Sequence, residues 1–275
     1  LENINEQFTQ SNVNREDAYL NSLYALYDWT REDYFGQFGM RASEHKTFGS
    51  FLSPGASVGK RFDESVVSLN MQRGFKAPSL YQMYGVNESF NKEENLDLKP
   101  EKSWAYDISY QYSKSFSASV FYTRIDDVIL NNATPVNDDY LEISGAESKY
   151  NLFGDNYLAS FSVGLFNYFN PNKKRIYKRP NERVVIDHVH FLSDRSELNI
   201  NAQYVGVRYD QNFNVSPTRD ERLSAYELVN VSYKYSESNR EWILGVDNLF
   251  NEFYESAYDY STLGQTAYLK LQIKY

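Results

Sequence analysis

Residues 269–275 read LKLQIKY, so that Leu269, Leu271, Ile273 and Tyr275 alternate with Lys270, Gln272 and Lys274. A period of two places every apolar side chain on one face of an extended strand, whereas a helix at 3.6 residues per turn would scatter them around its axis. One face of this segment meets something apolar and the other stays wet. The pattern recurs upstream. Trp104, Ile108, Tyr110 and Tyr112 alternate with Asp107, Ser109 and Gln111, and Phe116, Ala118, Val120 and Tyr122 with Ser117, Ser119 and Thr123. Val67, Leu69 and Met71 stand against Ser68, Asn70 and Gln72, and Leu198, Ile200, Ala202 and Tyr204 against Asn199, Asn201 and Gln203. About fourteen such runs are legible, centred near residues 5, 24, 38, 55, 70, 107, 122, 146, 162, 187, 203, 230, 246 and 269. Nothing between them reads as a helix.

Composition says what the apolar faces meet. The 275 residues include 25 Tyr, 18 Phe and 3 Trp, yet the mean hydropathy is −0.63. No window approaches the roughly 18 to 20 apolar residues of a membrane helix, while a membrane strand needs only about 9 to 11 residues of alternating character. The polar partners are small or amide residues, which suit a wet lumen, and Tyr and Trp gather near strand ends, where amphipathic rings favour the lipid headgroup level. A net charge of −9 provides no general basic footprint for nucleic acid. The absence of Cys removes disulfides, thiol catalysis and thiolate metal sites. The chain opens at Leu1 without an initiator Met or a signal segment, so it is expected to be processed or a piece of something longer.

The connections fall into two alternating classes. Residues 30–33, 61–64, 113–115, 153–156, 193–195 and 236–240 read as tight polar turns, and those between them are mostly longer: 77–102, 131–139, 170–181, 211–223 and 256–264. Short turns at one end and long loops at the other mark an outer-membrane barrel with periplasmic turns. A soluble antiparallel sandwich or barrel also alternates, but strands of ten or more residues, the aromatic excess and the two classes of connection weigh against it. The predicted fold is all-β, a transmembrane antiparallel β-barrel with about 14 strands present.

Several motifs resemble one family. RGFKAPSLYQMY at 73–84 is followed by ENLDLKPEKSWAYDISYQY at 94–112, GAE at 145–147, KRP at 178–180, YVGVRYD at 204–210 and VDNLFNEFYE at 246–255, with an aromatic last residue. In this order they resemble the TonB-dependent outer-membrane receptors, and within them most the cobalamin receptors and their near relatives among catecholate and haem receptors. The second motif reads NLDL where the family usually has NPNL, and the last residue is Tyr where Phe is commoner. A haem receptor of this type would carry a His between the first two motifs; residues 75–98 hold none. The resemblance implies a 22-stranded barrel with a folded plug, of which residues 1–275 would be a single partial barrel domain from the carboxyl-terminal part, with plug and TonB box outside it. A self-sufficient fourteen-stranded barrel is the alternative, since an even strand number permits closure.

The same resemblance implies localisation in the Gram-negative outer membrane, with membrane lipid, the TonB complex acting through a plug, and a small-molecule ligand as partners. That ligand is expected to be cobalamin, with a ferric siderophore as runner-up; a passive pore or non-transporting fragment is the bland reading. No cofactor is expected. Ligand contacts are expected at the extracellular mouth: Tyr81, Tyr84 and Phe90 offer flat apolar faces, with Gln82 and Asn87 as polar contacts. Arg208, Tyr209 and Asp210 sit at the top of a predicted strand, and Tyr258 and Tyr260 crown the last hairpin. Each also reads as an interfacial or loop-packing residue. Pro78 and Pro100 are expected to end strands. His188 and His190, two apart in a strand, could present two imidazoles to a metal, but a solvated or lumen-wall pair is the preferred reading. Asp126, Asp127, Asp138 and Asp139 read as an acidic rim rather than a Ca²⁺ loop. No GxSxG, P-loop, HExxH or GxGxxG motif occurs, and no enzyme is expected.

Overall fold

The computed structural model describes residues 2–10, 13–87, 92–130, 134–172 and 175–274. Its strands are β1 (Glu2–Gln10), β2 (Val13–Arg31), β3 (Tyr34–His45), β4 (Gly49–Arg61), β5 (Ser65–Lys76), β6 (Glu101–Tyr112), β7 (Phe116–Leu130) and β8 (Val136–Gly154). They continue as β9 (Tyr157–Phe169), β10 (Glu182–Ser193), β11 (Ser196–Val205), β12 (Arg208–Asn212), β13 (Arg219–Leu223), β14 (Tyr226–Glu237), β15 (Arg240–Asp247) and β16 (Thr266–Ile273). Fourteen of them form one sheet in the order β1 to β11, then β14, β15 and β16, with β12 and β13 set apart as a two-stranded sheet. The fourteen predicted runs are these fourteen strands. Among the described residues no helix is long and apolar enough to cross a membrane.

Chain neighbours are sheet neighbours, so alternate connections lie at opposite ends of the strands. Several short turns are so tight that non-glycine residues take the left-handed conformation, as at Glu32 (φ 51°), Ser113 (φ 47°) and Ser238 (φ 32°). Pro78 follows β5 and Pro100 immediately precedes β6, both outside the hydrogen-bonded ladder.

Contacts divide the chain into two compact units. The first comprises Leu1–Tyr110, Val120–Ser144 and Tyr168–Lys174. In it the register sets Leu23 against Ala42 and Ala42 against Leu52 on one face; on the other Ser22 faces Ser43 and Asp28 faces Gln37. The polar face hydrogen-bonds across strands: the Ser22 and Ser43 hydroxyls lie 2.9 Å apart, the Gln37 amide donates to Asp28 at 2.6 Å, and Asn70 donates to Asp107 at 2.8 Å. The apolar face is bare, with Leu23 64 % exposed. Strand Gly59 has a steric reason: Phe35, its direct cross-strand partner, lays its ring where a Cβ would stand, 2.2 Å from the nearest ring atom. The enclosed core of this unit is small, namely Met83, Leu98 and Ile129 with Phe48 and Tyr84 against them.

The second unit comprises Gln111–Ser119, Gly145–Asn167 and Arg175–Tyr275. Its polar face carries a chain of amides and carboxylate: Asn201 donates to Asp187 at 2.7 Å and Asn230 to Asn201 at 3.3 Å. Ile186 faces Phe161 and Ala202, and Ile200 faces Val231, on the apolar face. Among the described residues of the whole chain, no large side chain is fully buried. A sheet whose apolar face is exposed and whose polar face is internally hydrogen-bonded is built for lipid on one side and water on the other.

Three expectations need correction. Residues between the runs do include a helix, α1 (Leu80–Tyr84), closed by a capping box in which Ser79 and Gln82 bond each other's backbone N–H. One turn carries no hydrophobic period, so only the cap signals it. Residues 211–223 are not an open loop, because β12 and β13 pair within them from Arg208↔Leu223 to Asn212↔Arg219. His188 and His190 are not on the polar wall: they share parity with Ile186, opposite Ala159, Tyr157, Ile200 and Leu198. Tyr275 lies outside the described residues.

Candidate functional site

In the first unit the site is built on α1. The Ser79 hydroxyl accepts from Gln82 N at 3.2 Å and the Gln82 side-chain oxygen accepts from Ser79 N at 2.9 Å, so Gln82 is committed to the cap. Met83, on the opposite side of the turn, is 3 % exposed and packs with Leu98 and Ile129, and Tyr84 packs onto that cluster. Tyr81 points away and is 52 % exposed. Phe8 meets its ring edge-on at 5.9 Å.

Lys92 holds this platform from behind. Its ammonium donates to the Tyr81 carbonyl at 3.1 Å and to the Gly85 carbonyl, and stands 4.9 Å from the centre of the Tyr81 ring. Burial pushes the pKa of this amine below the usual lysine range. A Cβ on Gly85 would stand 2.5 Å from the Tyr81 carbonyl oxygen, so the chain leaves the helix where only glycine fits. Asn87 and Lys92 then exchange backbone hydrogen bonds at 3.0 and 2.9 Å. Of the residues expected here, Tyr81, Gln82, Tyr84 and Asn87 fall in one cluster; Phe90 lies outside the described residues.

In the second unit the expected residues form another cluster, and most of their polar groups are occupied. Arg208 is 4 % exposed; its guanidinium donates to the Gly206 carbonyl at 3.0 Å and the Glu255 carbonyl at 2.5 Å, and lies 4.7 Å from the Tyr226 ring centre. Asp210, 5 % exposed, accepts from Tyr258 N at 2.9 Å and Gln211 N at 2.8 Å, with the Lys178 ammonium at 3.6 Å. Asn212 donates to the Tyr258 hydroxyl at 3.2 Å. These three alternate residues of β12 pin the connection between β15 and β16 to the small hairpin. Tyr260 rises beyond the pins, 71 % exposed.

Sequence reasoning missed the other face of the hairpin. The Arg175 guanidinium lies 3.7 Å from the Tyr209 ring centre and pairs with Asp220 at 3.0 Å, while the Tyr177 hydroxyl donates to Asp220 at 2.7 Å. Phe213, at the hairpin tip, is 72 % exposed. The partners are 34 to 45 residues apart in sequence, and no local period announces them. Burial, and then the hydrogen bond to the Asp220 carboxylate, push the Tyr177 phenol up to about 12. The fold favours the neutral phenol, so its stabilisation is complete below the ordinary value of 10.0 and is lost as pH rises through about 12. A difference absorbance titration of wild type against Tyr177→Phe is expected to show one phenolate appearing with a midpoint near 12; a midpoint near 10 would mean that neither the burial of this phenol nor its contact to Asp220 persists in solution.

Among the described residues no group of three or more His, Asp or Glu is placed to hold a metal. Asp126 pairs with Arg124 at 2.8 Å, and Asp138 accepts from Asn170 and Asn172 at 2.8 and 2.7 Å. The His188 and His190 rings stack on one another at 5.9 Å, with Tyr157 against His188 at 5.8 Å.

The chain is similar to two vitamin B12 transporters, BtuB of Vibrio cholerae serotype O1 (26 % identity, 84 % of this chain, 38 % of that protein) and BtuB of Photobacterium profundum (23 % identity, 100 % of this chain, 45 % of that protein). Among solved structures it is similar in fold to the siderophore receptor PirA of Acinetobacter baumannii, with a TM-score of 0.80 at 16 % identity over 94 % of this chain and 46 % of that one. It is similar also to the ferric enterobactin receptor PfeA of Pseudomonas aeruginosa, with a TM-score of 0.80 at 18 % identity over 96 % and 46 %. The chain thus spans less than half the length of these relatives. Residues 2–249 match the family model described as TonB dependent receptor-like, beta-barrel, and with its fourteen alternating antiparallel strands this chain belongs to that family.

Proposed function

We propose that this chain supplies wall and ligand-binding loops to a receptor that takes up a scarce, bulky nutrient by a TonB-dependent step, and that the nutrient is cobalamin. The family is one of Gram-negative outer-membrane receptors and transporters, so the chain resides in that membrane. Tyr81 and Tyr260 offer aromatic surface from loops already braced by internal hydrogen bonds, and rigid aromatic surface binds without a large ordering cost.

The choice of ligand rests on one observation: both buried cations of the loop clusters, Lys92 and Arg208, are spent on backbone carbonyls, and two exposed ones, Arg175 and Lys178, are ion-paired. Arg175 pairs with Asp220, Lys178 with Asp210, Arg208 serves two carbonyls and Lys92 two others. A ferric catecholate siderophore is an anion and calls for free cations; a corrinoid calls for flat apolar faces and amides. The similarity to vitamin B12 transporters points the same way. The domain assignment belongs to the proposal as well: residues 1–275 act as one partial barrel domain, with the plug that contacts TonB supplied from outside them. No reaction is assigned to the chain; its work is capture and passage.

The test is uptake by cells whose only receptor of this type is the intact protein carrying this chain. Labelled cyanocobalamin is expected to accumulate when TonB is present and not when it is deleted. Accumulation of a ferric catecholate instead would overturn the ligand, and TonB-independent accumulation would make the chain part of a passive pore.

A further inference from the structure

The apolar face of the first unit holds a hollow of about 550 Å³ whose lining includes Ala56, Leu69, Met71, Tyr106, Ile108 and Val120. Its depth follows from sequence. Ala56 sits between Phe38 on β3 and Met71 on β5, its direct cross-strand partners, so a methyl stands where the neighbouring rows carry large side chains. The walls are rings and branched chains: Tyr106 is 43 % exposed and Val120 52 %.

At the end of the hollow nearest the connection between β5 and β6, the same face turns cationic. Arg73, two residues beyond Met71, sets its guanidinium 5.9 Å from the ring centre of Trp104, which in turn stacks on Tyr106 at 6.2 Å. Lys102 shares the parity of Trp104 and Tyr106 on β6. Among the described residues no carboxylate lies within ion-pair distance of Arg73 or Lys102, although Lys76 and Glu101, on the other parity, pair with each other at 2.9 Å. Two uncompensated cations beside a tryptophan, above an apolar hollow, combine the two requirements of a phosphorylated acyl lipid: an anion held at headgroup depth and a hydrocarbon chain below it. An uncharged lipid would use the hollow and leave both cations without a counter-ion.

We infer that this face is a binding site for one phosphorylated, acylated lipid of the leaflet at the long-loop end, with a phosphate on Arg73 and Lys102, Trp104 at the glycerol or sugar level, and one acyl chain over Ala56. The site is separate from the loop clusters and does not depend on which nutrient is carried.

The experiment is native mass spectrometry of the intact receptor in detergent, titrated with purified diphosphorylated lipid A, with the same lipid after phosphatase treatment, and with inorganic phosphate alone. One lipid A is expected to stay bound through detergent exchange. Removing its phosphates, or making the double variant Arg73→Gln with Lys102→Gln, is expected to weaken binding at least tenfold. Ala56→Phe, which fills the hollow and leaves the cations, is expected to weaken lipid A similarly while the strands stay intact by circular dichroism. Equal retention of phosphorylated and dephosphorylated lipid would overturn the role of the cations, and unchanged binding by Ala56→Phe that of the hollow. Displacement of lipid A by millimolar inorganic phosphate would reduce the site to an anion site without a lipid.

Discussion

Replacing Met83 with Asp is expected to release α1 from the strands beneath it and, on the proposed role of the loop clusters, to weaken ligand capture without unfolding the sheet. Met83, Leu98 and Ile129 are 3 %, 2 % and 7 % exposed, the small enclosed core of the first unit. A carboxylate placed among these apolar side chains leaves water for a cluster of hydrocarbon and thioether groups and costs several kcal/mol, whereas Met83→Leu conserves volume and is expected to cost less than about 1.5 kcal/mol. The helix is one turn long and cannot persist alone. Once undocked, Tyr81 loses its place against Phe8 and Lys92 loses the carbonyls it caps. Hydrogen exchange on the intact receptor checks this. Met83→Asp should expose the amides of residues 80–85 and of Asn95, which donates to the Met83 carbonyl at 2.8 Å, while β3 and β4 stay protected. Ligand affinity should fall at least tenfold. Protection of residues 80–85 equal to wild type would mean that something other than this cluster holds the helix.

That prediction depends on a part of the molecule the sequence shows poorly. The strands were legible because each obeys a local rule: Leu269, Leu271 and Ile273 declare a face within seven residues, and their neighbours need only repeat the pattern. The register also follows, since a slip of one residue would turn Leu23 and Tyr27 onto the face of Ser22 and Asp28. Loop structure obeys no such period. Ser79 and Gln82 form a capping box recognisable in principle, but one turn of helix between Pro78 and Gly85 gives no amphipathic stripe to support it. Tyr81 and Gln82 look alike as candidate contacts in sequence; the fold separates them, leaving the first half-exposed and spending the second on the cap. Arg208 and Asp210 look like a charged rim, and only the structure shows both nearly buried, with partners up to 48 residues away. The His pair stands on the other face for a related reason: the sequence shows the parity of His188 and His190, but which parity is apolar depends on Phe161 and Ile200 across the sheet.

The second large effect is expected at Arg208. Its guanidinium is buried and answers no carboxylate, so its value lies in two charge-assisted hydrogen bonds, to the carbonyls of Gly206 and Glu255, and in its contact with Tyr226. Arg208→Met retains much of the apolar volume but leaves both carbonyls without this donor. At roughly 1.5 to 3 kcal/mol for each bond to a charged group, the loss is about 3 kcal/mol or more. It falls on one place, because Glu255 belongs to the connection between β15 and β16, whose other pins are the bonds from Tyr258 N to Asp210 and between Asn212 and the Tyr258 hydroxyl. The connection is therefore expected to detach at residues 255–261, taking Tyr260 with it, and limited proteolysis should cut there at least tenfold faster than in wild type. Arg208→Lys separates charge from geometry: an ammonium on a single stem keeps the charge but cannot span two carbonyls as a planar fork does. Its cleavage rate should fall between those of wild type and Arg208→Met. If Arg208→Met is cut no faster than wild type, the pins at Asp210 and Asn212 suffice, and Arg208 serves the packing of Tyr226 and Tyr254, whose rings lie 4.4 Å apart, rather than the placement of the loop.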